Sequence, residues 1–155
     1  MEFALPSGAF MGPNCGVTAV AIAAGVSMSK AWDLFTANYN LSAKWRGGTR
    51  HAERLTVLDQ LNVTYREFKP KRMTLTAFAA STNGDNKTYM VTTTGHVQMV
   101  RNGQILDQRG VVPVNQHWGR RKFISKPVLE IIKPEVSFDA QTFGLPLFDL
   151  QQGDY

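Results

Sequence analysis

The sequence predicts an α+β domain, with helices in the first half of the chain and an antiparallel sheet in the second. The run from Gly16 to Ala24 is apolar on every side, so a helix built from it has no solvent face and belongs in the middle of the domain. Apolar residues recur at helical spacing as far as Leu61. From Lys87 the pattern changes to strand-like alternation broken by Asn102-Gly103, the strongest short-range hairpin signal. At 155 residues, 43% of them hydrophobic, the chain has material for a single core.

Each element has its own signals. Pro13 fixes the backbone ahead of the first helix, and Gly25 is placed to end it. Ser27 and Ser29 offer caps for a second helix that carries Ala31, Trp32, Leu34, Phe35 and Tyr39 and ends near Asn40. Trp45-Arg46-Gly47-Gly48 reads as a loop. Thr49 is expected to cap a third helix in which Ala52, Leu55, Leu58 and Leu61 face one way and which Asn62 closes. Residues 63–68 alternate like a strand and lead into the basic turn Lys69-Pro70-Lys71-Arg72. Residues 73–81 predict a short fourth helix with Leu75, Phe78 and Ala79 inward. Strands follow at 88–94, 95–101 and 104–108, with further candidates at 110–114, 122–124 and 128–132.

The charge is uneven. Residues 1–134 hold all 17 basic residues and 8 of the 12 acidic ones, whereas residues 135–155 hold Glu135, Asp139, Asp149, Asp154 and no base. The first segment is read as the domain and the second as an acidic C-terminal tail that clings to it through a few aromatic contacts. The N-terminus has no basic leader, and the apolar run is too short to span a bilayer. A lone cysteine excludes an internal disulfide framework, so the expectation is a soluble cytoplasmic protein without a membrane partner.

That cysteine, Cys15, sits at the first turn of the apolar helix. Helix N-termini carry partial positive charge and unpaired N–H groups, which favour thiolate over thiol and can also hold an oxyanion. Core packing is the other use of a lone cysteine in an apolar segment, so the nucleophile reading needs a histidine elsewhere. A two-residue turn at Asn102-Gly103 sets Arg101 opposite Gln104, Met99 opposite Leu106 and Gln98 opposite Asp107. His96, Gln98 and Val100 then share a face with Ile105, Asp107 and Arg109, and His96 lies diagonal to Asp107 at about 7–8 Å. A carboxylate there can orient the imidazole, and the imidazole can take a proton from a thiol.

Asn14-Cys15-Gly16 at a helix start, with Gly95-His96-Val97 and a following acid on a later hairpin, resembles the papain-like cysteine peptidases, in particular the small bacteriocin-processing and NlpC-type domains. The resemblance covers residues 12 to about 110. It implies a papain-like α+β fold, with the nucleophile on a central helix packed against a C-terminal antiparallel sheet. It further implies a cysteine hydrolase with Cys15 as nucleophile, His96 as general base and Asp107 as orienting acid. The substrate would be a peptide or protein, attacked at an amide, isopeptide or ester bond through a thioester intermediate. Where such enzymes carry glutamine six residues before the cysteine, this chain has Ala9, so the Asn14 side chain and the Cys15 backbone N–H are the expected oxyanion donors.

Gly16, Gly95, Gln98 and Trp118 are candidate cleft residues, Trp118 by flanking the histidine. His51 is expected to be an exposed first-turn residue. His117-Trp118-Gly119-Arg120-Arg121-Lys122 mixes aromatic and basic residues, and with Lys69, Lys71 and Arg72 it makes a candidate basic surface. A second reading from another class follows: a papain-fold binding protein, weak or inactive in turnover, whose basic surface engages nucleic acid or an acidic protein. The three histidines and one cysteine lack the paired spacings of zinc sites, and Gly47-Gly48 lacks the following Lys-Ser/Thr of a phosphate loop. No metal or cofactor is expected.

Overall fold

Helix α1 (Cys15–Ala24) starts where the apolar run starts, and every residue from Gly16 to Ala23 is buried. The structure is a computed structural model that describes residues 2–132. The proposed tail, residues 135–155, and its boundary at residue 134 lie outside the described residues. The Asn14 carbonyl accepts the Thr18 N–H at 3.0 Å, and Gly25 closes α1 with its N–H on Ile22. Helix α2 (Met28–Tyr39) is capped by Ser27, whose Oγ accepts the Lys30 N–H at 3.2 Å. Asn40 ends it, as its sequence position suggests.

Helix α3 (His51–Gln60) departs from expectation in two ways. Its cap is Arg50, not Thr49: the Arg50 N–H donates to Glu53 Oε1 at 2.8 Å, and the Thr49 hydroxyl is turned to other work. Its buried side is Arg54, Val57 and Leu58, while Ala52 is exposed. A three-residue repeat drifts around a helix of 3.6 residues per turn, so the stripe that stays inward follows i, i+3, i+4. Arg54 is thereby carried into the interior.

The remaining elements are β1 (Thr64–Phe68), α4 (Leu75–Ser81), β2 (Thr88–Thr93), β3 (His96–Arg101), β4 (Gln104–Asp107), β5 (Gly110–Pro113), a single 3-10 turn and β6 (Val128–Ile132). The strands form one six-stranded antiparallel sheet in the order β1-β6-β2-β3-β4-β5. This is the α+β arrangement read from the sequence. Asn102 and Gly103 both take positive φ, 47° and 77°, and give the register expected of a two-residue turn: Arg101 faces Gln104 and Met99 faces Leu106. The segment 122–124 is not a strand. Phe123 and Ile124 make only isolated bridges, to Thr74 and Thr93, because this stretch crosses from the 117–121 loop to β6.

Both faces of the sheet are covered. Helices α1, α2 and α3 pack with Met90, Val97, Met99, Leu106, Leu129 and Ile131. Helix α4 packs on the other face with Tyr89, Val91, Val100, Ile105 and Val128. Odd and even positions of β3 therefore serve different cores, and His96 starts the strand at the end where α1 begins. Among the described residues, no single helix is long and apolar enough to cross a membrane.

Leu58 is fully buried where α3 meets the first core. Leu58→Ala is expected to cost about 2–5 kcal/mol of stability, read as a lowered urea midpoint with unchanged slope.

Candidate functional site

Cys15, His96 and Asp107 come together at the junction of α1 with the β3–β4 hairpin. His96 Nε2 lies 2.8 Å from Asp107 Oδ2, the diagonal pairing that the turn dictated. Cys15 is half-buried on the same cleft as His96, and its Sγ accepts the N–H of Val97, the residue next to that histidine, at 3.4 Å. An ionised carboxylate only accepts, so Nε2 carries the proton that goes to Asp107. Nδ1 is the nitrogen left for the sulfur.

Asp107 has a second histidine. His117 Nε2 also lies 2.8 Å from Oδ2, and the Arg109 N–H donates to Oδ1 at 2.9 Å. His117 Nδ1 accepts the Gly119 N–H at 3.0 Å, which leaves Nε2 as the proton-bearing atom. His117, which opens the segment of the candidate basic surface, is itself buried. Its one sequence signal is the following Trp-Gly, which turns the loop back on itself. Trp118 is half-exposed and lies over this pair, edge-on to His96 at 5.0 Å and stacked on His117 at 5.5 Å. Its expected place beside His96 is observed.

The charges in this cluster support one another. Burial pushes the Asp107 carboxyl up, but hydrogen bonds from His117, His96 and the Arg109 N–H outweigh it and hold the group well below the usual carboxylate range. Burial likewise pushes the His96 imidazole down, and its bonds to Asp107 and Cys15 bring it above its ordinary value. For Cys15, burial favours the thiol. The His96 hydrogen bond, the Val97 N–H and the positive charges of His96 and Arg54 favour the thiolate and win, so its pKa is lowered.

The sulfur opens on a cleft of about 730 Å³. Gly16 and Gly95 line it, as expected, together with Gly47, Gly48, Thr93 and Lys126. Trp45 Nε1 donates to the Gly48 carbonyl at 3.0 Å and so folds the glycine loop into the wall. Gly16 is needed there for space. A Cβ at that position would stand 2.0 Å from Thr49 Oγ1 and 3.1 Å from Arg54 Cδ. Arg54, which sequence reasoning missed because charged residues are not sought on a buried stripe, lines the same cleft.

Three expectations need correction. The Asn14 side chain is fully buried with Nδ2 bonded to the Phe10 carbonyl, so it is not at the cleft wall to hold an oxyanion. Gln98 is also fully buried, its Nε2 committed to the Val91 carbonyl, and it is not a cleft residue. His51 is only partly exposed, bonds Glu67 at 2.9 Å and lines the cleft. In the basic segments, Lys69, Lys71, Arg72 and Arg121 are exposed, Arg72 lying 3.9 Å over Phe123, while Arg120 bonds the His117 carbonyl and Lys122 the Thr94 carbonyl.

Among the described residues, His96, Asp107 and His117 are the one trio whose ligand-type atoms converge, within 4.8 Å of one another. A metal-bound imidazole donates its other N–H to an acceptor, whereas His117 Nδ1 faces the Gly119 N–H. The arrangement fits a hydrogen-bonded cluster rather than a ligand set. The chain matches no family model, no curated protein and no solved structure.

Because Asp107 ionises below its ordinary value of 3.8, its contribution to stability is fully present above that value and is lost as pH falls through and below it. The wild-type protein is expected to exceed Asp107→Asn by about 1–3 kcal/mol at pH 7, with the gap narrowing as pH falls from about 5 to 3 and not yet closed at pH 3 in urea titrations. A constant gap across that range would mean that the charge of Asp107 contributes nothing.

Proposed function

We propose that this protein is a papain-like cysteine hydrolase of the peptidase, isopeptidase or amidase type. Cys15 is its nucleophile, His96 its base and acid, and Asp107 the orienting group. The observation that carries this reading is the meeting of the chain's only cysteine, on α1, with a histidine eighty-one positions later that a buried carboxylate fixes in one tautomer. Charge complementarity supports it, because the sulfur lies among groups that favour its reactive form.

The steps follow from those groups. His96 Nδ1 takes the thiol proton, and the thiolate attacks an acyl carbon while the carbonyl electron pair moves to oxygen. The Cys15 backbone N–H, at the first position of α1 where no intrahelical acceptor exists, is the donor to that oxyanion in this scheme. Collapse breaks the bond to the leaving amine or alcohol, which takes the proton from Nδ1, and a thioester remains on Cys15. Water then attacks the thioester, gives a proton to His96, and the expelled sulfur regains it as the acid leaves. Asp107 keeps Nδ1 aimed at the sulfur throughout, and Trp118 shields the imidazole from bulk water.

The test uses the single thiol. At pH 7, iodoacetamide is expected to label one equivalent at Cys15 faster than it labels a free cysteine thiol. His96→Ala should slow labelling and lower turnover of any acyl substrate by about 10²–10⁴-fold. Cys15→Ala should abolish both. Labelling no faster than that of a free thiol, together with no acyl adduct by intact mass across a panel of activated acyl esters, would remove the hydrolase reading.

A further inference from the structure

The cleft beside Cys15 is electrically one-sided. Its charged side chains are Arg50, Arg54 and Lys126, with His51 and His96 also present, and no Asp or Glu among the described residues lines it. The nearest carboxylates are engaged elsewhere: Glu67 bonds His51, Glu53 accepts the Arg50 N–H, and Asp107 lies behind His96.

Arg54 is the unusual member. It is only 3% exposed, yet it makes no salt bridge with any described residue. Its partners are neutral: Nη1 donates to Thr49 O and Oγ1 at 3.2 and 2.9 Å, and Nη2 donates to Thr92 Oγ1 at 3.1 Å. Nε has no partner, and nearby Thr93 Oγ1, on the same cleft, also has none. A guanidinium has five N–H groups. The three bonds leave one Nη2–H and the Nε–H, the latter closed off from solvent, so the charge of Arg54 acts on the cleft from just behind its wall. The charges that bear on Arg54 are those of Cys15 and Glu53, neither in a salt bridge with it, and a buried cation so weakly countered is costly.

We infer that a further counter-charge arrives with the substrate: the cleft selects acyl groups from acidic peptides, whose carboxylate lies close to the scissile carbonyl and is drawn in by Lys126 and Arg50 toward the buried charge of Arg54. This rests on the hydrolase reading and names its substrate class. Small residues at Gly16, Gly47, Gly48 and Gly95 leave the approach to the sulfur open, so charge rather than bulk sorts what enters. The Cys15 thiolate is the other anion that Arg54 favours, and one guanidinium beside both would serve nucleophile and substrate together.

Two alkylating agents of nearly equal size test this without a known substrate: iodoacetate, which is anionic, and iodoacetamide, which is neutral. In each, the sulfur displaces iodide and a single S–C bond forms. The ratio of their rate constants at Cys15 is compared with the ratio for the neutral thiol N-acetylcysteine amide at low ionic strength. The protein's ratio is expected to be about tenfold higher or more, and to fall as salt screens the cleft. It should drop several-fold in Lys126→Gln, an exposed position where folding is not at stake, and in Arg54→Gln, with partial recovery in Arg54→Lys. Fast labelling by both reagents with the reference ratio would overturn the inference while leaving the hydrolase reading intact. So would a raised ratio that neither the Lys126 nor the Arg54 variant changes, since His96 alone would then account for it. Labelling by neither reagent faster than the reference would overturn both readings.

Discussion

One buried carboxylate organises the site. Asp107 ends β4 with almost no solvent contact, and an ionised group in that position is tolerated only when its lone pairs are filled. Three donors from three places fill them: His96 at the start of β3, His117 in the loop after β5, and the backbone of Arg109 in the turn. The loop cannot move without stripping a donor from Asp107, so the carboxylate holds the 117–122 segment down. That segment in turn brings Trp118 over His96 and delivers Lys122 to Thr94 and Arg120 to the His117 carbonyl. Its backbone reaches α4 as well, where the Leu75 and Thr76 N–H groups bond Lys122 and Arg120.

The other half of the site is held by exclusion of water rather than by charge. Helix α1 has no polar face, so burying it against α2, α3 and the sheet fixes where Cys15 stands to within the width of a turn. Gly16 then allows Thr49 and Arg54 to press against the first turn, which a methyl group would prevent. The sulfur shares its cleft with an imidazole held by Asp107 and a guanidinium held by Thr49 and Thr92. Both cations favour its charged form against the burial that opposes it. Packing thus supplies position, and the polar groups supply reactivity.

What was legible in the residues was what local rules control. The α1 start, the Ser27 and Asn40 ends of α2, and the Asn102-Gly103 hairpin each depend on a few neighbouring residues, and the structure has them where the sequence put them. The His96–Asp107 pair followed from register alone, because alternation and a two-residue turn leave no freedom about which side chains lie diagonal. Local rules failed at α3, where cap preference favours Thr49 but its hydroxyl accepts from Arg54 instead, and where a three-residue apolar repeat competed with the true inward stripe.

The sequence by itself determined the α+β class, the register of the hairpin and the pairing of a histidine with an acid, because turn chemistry and side-chain periodicity act over a few residues. Only the tertiary structure decided that His117 shares Asp107, that Arg54 is buried beside the sulfur without a carboxylate, and that Asn14 and Gln98 point away from the cleft. Those outcomes depend on which polar groups find partners once water is excluded, and the partners come from segments distant in the chain. A histidine in a basic loop and an arginine on a helix look like solvated side chains until the fold places an acceptor beside one and removes the solvent from the other.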